Sequence, residues 1–273
     1  MNTEIIEKID TTIIDLPLKR IHKFAATTIN SKSFVIVQIY TKNGVVGIGE
    51  ATTPGGPWWA GEAVETIKVM IDSYLAPALV GENALQINTL LQKMDCVAAN
   101  NPFAKAALEI ALLDIKGQVL RVPIYDLFGG LSRESMALKW PLAQGDAKAD
   151  IEEAEQLMSS NIAQEFKVKM GYMSPEDDVN YIAELCRGLN GKATLLGDLN
   201  ATWSELTTQK YLPDLAAHGM DMIEQPVAAW NRQALARIRD FSPIPILADE
   251  SICTPQDVNE IGNLHAADML SLK

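Results

Sequence analysis

The chain has 273 residues, 48% of them hydrophobic and 21% charged, which is the composition of a globular protein with one large or two smaller domains. Its 35 acidic and 23 basic residues give a formal net charge of −12, which would repel nucleic acid and anionic membrane surfaces. The first residues lack the pattern of a signal peptide, and no apolar stretch approaches the roughly 20 residues that cross a bilayer, so we expect a cytoplasmic protein without membrane or nucleic-acid partners.

The first part of the chain predicts an antiparallel sheet. Three segments rich in β-branched residues have the composition of strands, and they lie at residues 5–18, 33–41 and 45–49. The last two are separated by Asn43-Gly44, a pair that is typical of tight hairpin turns. We therefore expect these segments to pair as antiparallel strands.

Helices are predicted after these strands. A loop rich in Gly, Pro and Trp at 52–59 leads into three segments with helical apolar periodicity, at 62–79, 85–97 and 103–120. Asn101 before Pro102 predicts that the last helix begins with an asparagine N-cap and a proline at its first position. Strands followed by helices indicate an α+β capping domain, which we place at residues 1–130.

From residue 131 onward the pattern changes to a strict alternation of strand and helix. Six apolar runs have the length of strands, at 137–142, 165–170, 193–200, 220–225, 245–250 and 268–273. This alternation, at roughly 30 residues per unit, is typical of a (β/α) barrel. The predicted fold class is α/β, with the α+β domain followed by a catalytic barrel domain at residues 131–273. Because such barrels have eight strands, six indicate a barrel that is truncated after strand 6.

Charged residues recur at the ends of the last five predicted strands, at Lys169, Asp198, Glu224, Asp249 and Lys273. Catalytic groups in (β/α) barrels gather at the carboxyl ends of the strands, so these five side chains are expected to share one pocket. A single carboxylate at a strand end is usually a solvated residue or a helix cap, but three on consecutive strands favour a metal site. Carboxylate oxygens without His or Cys suit Mg²⁺ or Mn²⁺.

Lys167 and Lys169 lie two residues apart on one predicted strand, so both side chains should face the barrel interior. Repulsion between the two ammonium groups, and from a nearby cation, is expected to lower their pKa values. A metal flanked by lysines is suited to moving a proton beside a carboxylate, through an enolate that the metal stabilises.

Several motifs resemble the muconate lactonizing branch of the enolase superfamily. They are Lys167-Val168-Lys169, Asp198-Leu199-Asn200, Glu224-Gln225-Pro226, Asp249-Glu250-Ser251, Leu272-Lys273, the run 47–59 and Asp126-Leu127-Phe128-Gly129-Gly130. The resemblance to this mandelate racemase and muconate lactonizing family spans essentially the whole chain and implies an enolase-type barrel. It also implies the reversible closure of cis,cis-muconate to muconolactone, a cycloisomerase reaction of catechol breakdown.

The resemblance further implies roles for individual residues. Lys169 matches the family's proton donor and acceptor, Lys167 matches a supporting lysine, and Lys273 matches a lysine on the opposite side of the substrate. The ligands of Mn²⁺ or Mg²⁺ are matched by Asp198, Glu224 and Asp249. The candidate contacts to a small dicarboxylate substrate are His22, Lys23, Thr53, Pro54, Gly55, Trp58, Trp59 and Asn200, although the two tryptophans could equally be packing residues. Members of the family tend to form homo-oligomers.

Other activities share the same frame of lysines and carboxylates. Within the superfamily they are those of chloromuconate cycloisomerase, dipeptide epimerase, N-acylamino acid racemase and o-succinylbenzoate synthase. An alternative of another class is an inactive, truncated fragment that binds a metal.

Overall fold

The computed structural model describes residues 3–24, 27–53 and 55–272. The chain divides into two compact units, which are Met1–Lys19 with Asn30–Glu134 (unit 1) and Arg20–Ile29 with Ser135–Lys273 (unit 2). The domain border expected between residues 130 and 131 stays a prediction. Within the described ranges, no helix is both long and apolar enough to cross a membrane.

One sheet has three strands, in the order β1 (Ile6–Lys23), β2 (Thr28–Thr41) and β3 (Val46–Thr52), and most of it belongs to unit 1. Strands β2 and β3 pair in the antiparallel sense, with Tyr40 opposite Val46 at the hairpin end. The predicted antiparallel sheet is therefore confirmed. Strand β1 is longer than expected, because it continues to Lys23 instead of ending at residue 18.

Five α-helices follow among the described residues of unit 1. They are α1 (Val64–Met70), α2 (Ala76–Leu79), α3 (Ile87–Val97), α4 (Pro102–Leu120) and α5 (Ile124–Leu127). A π-helical turn, Ile71–Leu75, joins α1 to α2, so the helix expected at 62–79 is one helical segment with a wider turn inside it. Helix α5 was not predicted, and its four residues are too few to show a periodic pattern.

Helix α4 lies unusually close to strand β3. A Cβ atom added at Gly47 would lie 2.2 Å from the Ala111 carbonyl oxygen, and one added at Gly49 would lie 1.9 Å from the Ala107 carbonyl oxygen. Real side chains cannot occupy such positions, so glycine at both places allows the helix backbone to approach the strand. This contact organises the buried core of unit 1.

Helix α4 begins at Pro102 with Asn101 at the N-cap position, as predicted, but the Asn101 side chain does not supply the cap. Asn101 adopts a left-handed conformation with φ of 55° and makes no side-chain capping hydrogen bond. The buried carboxylate of Glu62 instead accepts hydrogen bonds from the backbone N–H groups of Phe103 (3.1 Å) and Ala104 (3.4 Å). Burial raises the pKa of Glu62, against the lowering effect of these two N–H groups. The helix is therefore capped by a residue distant in sequence.

Unit 2 contains a six-stranded parallel sheet whose neighbours follow chain order. The strands are β4 (Leu138–Leu142), β5 (Ala163–Lys169), β6 (Thr194–Asp198), β7 (Met222–Glu224), β8 (Ile246–Ala248) and β9 (Met269–Leu270). The helices between them are α6 (Ala147–Ser159), α7 (Pro175–Leu189), α8 (Glu205–His218), α9 (Arg232–Phe241) and α10 (Pro255–Leu264). The six predicted strands and their alternation with helices are confirmed.

The core of unit 2 lies between the sheet and these helices. On β5, Phe166 and Val168 are fully buried in a cluster with Ile182 of α7. Successive side chains of a strand point to opposite faces, so Lys167 and Lys169 point away from the helices. The sequence of β5 thus places two ammonium groups on the interior face of the sheet.

Candidate active site

The predicted site residues lie at one edge of the parallel sheet. Lys169 is in register with Asp198 across β5 and β6, and Asp198 is in register with Glu224 across β6 and β7. Each of these three is the last residue of its strand, and Asp249 follows β8 directly. The parallel arrangement therefore brings four of the five predicted charged residues to the carboxyl ends of neighbouring strands.

Two lysines form a compact network of ion pairs with two of the carboxylates. Lys169 Nζ lies 2.6 Å from Asp198 Oδ2. Lys167 Nζ bridges the strands, because it lies 3.0 Å from Asp198 Oδ2 and 2.7 Å from Glu224 Oε1. Asp198 and Glu224 are 0% and 1% exposed, so these charges interact where water screens them little.

The pKa values in this network follow from burial and charge together. Burial of Asp198 would raise its pKa, but the ammonium groups of Lys169 and Lys167 outweigh that effect and lower it. Burial and the neighbouring charge of Asp198 raise the pKa of Glu224, against the opposing effect of Lys167. For Lys167, burial lowers the pKa, but Asp198 and Glu224 outweigh burial and raise it. The two carboxylates therefore outweigh the repulsion expected between the lysines, and the lowering of the Lys167 pKa expected beside a bound cation stays a prediction.

Asn200 links Lys169 to a further acidic residue. Its side-chain oxygen Oδ1 accepts a hydrogen bond from Lys169 Nζ (3.1 Å), and its amide Nδ2 donates to Glu250 Oε1 (3.0 Å). Burial raises the pKa of Glu250, with a smaller contribution from the charge of Asp198. Sequence reasoning assigned no role to Glu250, although its position next to Asp249 was a signal. A substrate contact by Asn200 stays a prediction.

The three predicted metal ligands suit a hard divalent cation by their chemistry. Asp198, Glu224 and Asp249 are all buried carboxylates, and Mg²⁺ and Mn²⁺ prefer such oxygen ligands. Among the residues that the structure describes, however, no three His, Cys, Asp or Glu side chains are arranged to hold an ion. Asp198 and Glu224 are turned toward Lys167 instead. The metal site therefore stays a prediction.

The end of β1 and the residue after it (residues 20–24) belong to unit 2 and reach the same site. The ring centroid of Phe24 lies 4.9 Å from Lys169 Nζ, a distance at which a cation interacts with an aromatic face. His22 packs its ring against Phe24 at 4.4 Å between centroids, and the Lys23 backbone N–H donates to the Ala143 carbonyl oxygen (3.3 Å). The contact of Phe24 with Lys169 was not predicted. The substrate contacts expected of His22 and Lys23 stay predictions.

A buried carboxylate holds the turn that follows Lys169. The backbone N–H of Gly171 donates to Asp178 Oδ2 (3.0 Å), and Asp178 is fully buried in the first turns of α7. Burial raises the pKa of Asp178 to about 7, against the lowering effect of the Gly171 N–H and the Trp203 indole. The sequence did not reveal this role, because acidic residues are common in the first turn of any helix.

The remaining predicted site residues fall in two places. Pro54 and Lys273 lie outside the described residues. In unit 1, the Gly55 N–H donates to the Thr53 carbonyl oxygen (2.8 Å), and the Trp59 ring meets Phe103 edge-on at 6.1 Å between centroids. Trp59 therefore has a packing contact within unit 1. The substrate contacts expected of Thr53, Pro54, Gly55, Trp58 and Trp59 stay predictions, as does the catalytic role of Lys273.

Two family models match the chain. Residues 8–129 match the mandelate racemase / muconate lactonizing enzyme, N-terminal domain, and residues 149–273 match the enolase C-terminal domain-like family. The chain is similar to muconate cycloisomerase 1 of Rhodococcus opacus, with 40% identity over 98% of this chain and 72% of that protein. It is also similar to a chloromuconate cycloisomerase of Cupriavidus pinatubonensis, with 42% identity over 96% of this chain and 70% of that protein.

Solved structures show the same relationship. A muconate lactonizing enzyme from Pseudomonas fluorescens, crystallised with muconolactone, superposes with a TM-score of 0.98 at 34% identity, covering 100% of this chain and 73% of that one. The 2-chloromuconate cycloisomerase from Rhodococcus opacus superposes with a TM-score of 0.96 at 41% identity, covering 98% of this chain and 73% of that one. These similarities confirm the predicted fold class.

Proposed function

Because the chain belongs to the mandelate racemase and muconate lactonizing enzyme family, we propose that it is an isomerase of the muconate cycloisomerase type. It interconverts cis,cis-muconate and muconolactone in the degradation of aromatic compounds. The observation that carries the proposal is the position of Lys169, whose Nζ lies 2.6 Å from Asp198 and whose strand end is in register with the strand ends of Asp198 and Glu224. An ammonium group beside buried carboxylates is suited to proton transfer next to an acidic substrate.

The proposed reaction forms one C–O bond and moves one proton. In the forward direction, an oxygen of one substrate carboxylate adds to a double bond, and the resulting enolate of the other carboxylate takes a proton from Lys169. In the reverse direction, Lys169 removes that proton and the C–O bond breaks. Lys167 holds Asp198 and Glu224 in place through its two ion pairs. Lys273 faces Lys169 across the substrate in this proposal.

A divalent cation, Mn²⁺ or Mg²⁺, is part of the proposal, with Asp198, Glu224 and Asp249 as its ligands. When bound, it would supply positive charge where the negative charge of the enolate builds up. The donor chemistry of the three carboxylates supports this assignment. A cytoplasmic location, a small dicarboxylate substrate and assembly into homo-oligomers complete the proposal.

Chloromuconate is a second candidate substrate. The relative named chloromuconate cycloisomerase is 42% identical to this chain, and the relative named muconate cycloisomerase 1 is 40% identical. The two similarities are too close to separate the substrates. Comparing kcat/KM for the two muconates on the same protein would decide between them.

The test follows the loss of ultraviolet absorbance of cis,cis-muconate with and without Mn²⁺. We expect Mn²⁺-dependent turnover, and we expect Lys169→Ala to lower kcat by roughly 10²-fold to 10⁴-fold, the usual contribution of a general acid or base. The control is Lys139→Ala, which removes a lysine from the neighbouring strand β4 and should turn over like the parent protein.

Three outcomes would contradict all or part of the proposal. Racemisation of a dipeptide or an N-acylamino acid, with no change in either muconate, would assign the chain to another branch of the superfamily. Mn²⁺ binding without turnover of any of these substrates would favour an inactive metal-binding fragment. A Lys169→Ala variant that keeps the parent rate would remove Lys169 from its role.

A further inference from the structure

The residue after Glu224 occupies an unusual position. Gln225 is fully buried and adopts a left-handed backbone conformation with φ of 36°. Residues other than glycine rarely adopt this backbone conformation, and it persists only where the surrounding contacts fix it. A buried polar side chain on such a backbone requires an explanation.

The side-chain amide of Gln225 uses its full hydrogen-bonding capacity. Its oxygen Oε1 accepts from the backbone N–H groups of Asp249 (3.0 Å) and Ser251 (3.1 Å). Its nitrogen Nε2 donates to the Val227 carbonyl oxygen (2.9 Å) and to Ser251 Oγ (2.7 Å). Two acceptor sites and two N–H donors are all that an amide offers. Glutamate in this place would lack both donors.

These bonds connect the two turns that carry Glu224 and Asp249. Strand β8 ends at Ala248, so the N–H of Asp249 is held by the Gln225 side chain after the strand has ended. The backbone of Gln225 adds a further link, because its N–H donates to the Leu247 carbonyl oxygen (2.9 Å). The ladder between β7 and β8 and the Gln225 side chain therefore fix the separation of the Glu224 and Asp249 backbones together, and only the side chain holds the N–H of Asp249 itself.

The far side of the second turn is held independently. Arg232 Nε and Nη2 donate to the Ser251 carbonyl oxygen at 3.2 and 3.0 Å, and Ser251 Oγ donates to the Ala229 carbonyl oxygen (3.0 Å). Ser251 is thus fixed from the α9 side, while Gln225 fixes the turn from the side of β7. The two sets of contacts hold the turn on both sides of Asp249, and the contact with the Asp249 N–H comes from Gln225.

We propose that Gln225 is a positioning residue that sets the distance between the carboxylates of Glu224 and Asp249, and so tunes the affinity of the site for a divalent cation. This inference rests on the proposed function, because it takes Glu224 and Asp249 as metal ligands. Residues that orient metal ligands typically change metal affinity by 10-fold to 100-fold when they are replaced.

The experiment measures Mn²⁺ affinity by titration followed by electron paramagnetic resonance, without substrate. Gln225→Met keeps the side-chain volume and removes all four hydrogen bonds, and Gln225→Asn keeps the amide but shortens its reach. The matched control is Thr208→Val, which removes a buried hydroxyl that donates to the Ser204 carbonyl oxygen (2.9 Å) in helix α8 of the same unit. Thermal unfolding of each variant is recorded in parallel.

We expect both Gln225 variants to weaken Mn²⁺ binding about 10-fold to 100-fold. Thr208→Val should bind Mn²⁺ like the parent protein, even if its melting temperature falls by as much as that of the Gln225 variants. The role of Gln225 would be overturned if either folded Gln225 variant bound Mn²⁺ as tightly as the parent protein. It would also be overturned if Thr208→Val lost Mn²⁺ affinity in proportion to its lost stability. Neither result would contradict the proposed function. A parent chain that binds no Mn²⁺ would overturn the proposed metal chemistry and this role with it. Amide hydrogen exchange at Asp249 and Ser251 gives a metal-independent check, since Gln225→Met should accelerate both amides.

Discussion

Replacing Asp178 by asparagine should make the protein more stable near neutral pH. Asp178 is fully buried, and burial raises the pKa of its carboxyl group from an ordinary value of 3.8 to about 7. Asparagine imitates the protonated acid, because its side-chain oxygen can still accept the N–H of Gly171. The substitution therefore removes a buried charge and leaves the turn after Lys169 in place.

The sign and size of the effect follow from the two pKa values. Between pH 3.8 and about 7 the unfolded chain loses this proton while the folded chain keeps it, so parent stability falls as pH rises. At roughly 1.4 kcal/mol per unit of pKa, the full shift corresponds to about 4 kcal/mol, which is reached above pH 7. The stability gained by Asp178→Asn should therefore grow by up to about 4 kcal/mol between pH 4 and pH 8.

Urea unfolding of both proteins at several pH values between 4 and 8 measures this difference. Any constant loss from the altered contact with the Trp203 indole cancels, because only the change with pH is compared. Asp177→Asn, which removes an exposed carboxylate from the same helical turn, is the matched control and should give a much smaller change with pH. A difference between Asp178→Asn and the parent that is constant with pH, or that shrinks as pH rises, would refute the reasoning.

Two further predictions concern unit 1. Gly49→Ala should destabilise the protein by roughly 1–3 kcal/mol or more in urea unfolding, because its Cβ would lie 1.9 Å from the Ala107 carbonyl oxygen. The control Ile48→Ala, at the exposed neighbouring position, should change the free energy of unfolding by less than about 0.5 kcal/mol. Equal effects of the two substitutions would contradict the close approach of helix and strand. Glu62→Ala should lower the free energy of unfolding by about 0.5–2 kcal/mol, because it removes the helix cap. Glu65→Ala, at an exposed position, should lower it by less in the same urea experiment. A larger loss in Glu65→Ala than in Glu62→Ala would be incompatible with capping by Glu62.

Much of the fold could be predicted because it depends on local patterns. The alternation of apolar runs with capped helices indicated six parallel strands, and all six are present. The lengths of the last strands of unit 2 were overestimated: β7 has three residues and β9 has two. The predicted strand at 220–225 included Gln225, whose positive φ turns the chain directly after Glu224. The cap of α4 was missed for another reason, because Glu62 is far from the helix start in sequence.

The site was predictable in its charged residues but not in its hydrogen bonds. Regular spacing at strand ends was sufficient to bring Lys169, Asp198 and Glu224 into register. The bridging position of Lys167 and the contact of Phe24 with Lys169 depend on side-chain directions that strand periodicity does not specify. The pKa of Lys167 was expected to fall through repulsion from Lys169 and a nearby cation, whereas the contacts of Lys167 with Asp198 and Glu224 raise it.

The double ion pair of Lys167 bears on whether the sheet can fold before a metal ion binds. Buried carboxylates such as Asp198 and Glu224 would repel each other during folding if nothing neutralised them. A tethered ammonium group is present from the moment the strands meet, so the sheet can assemble before any cofactor arrives. Under the proposed function, chelation of the divalent cation would therefore stop turnover without unfolding the protein.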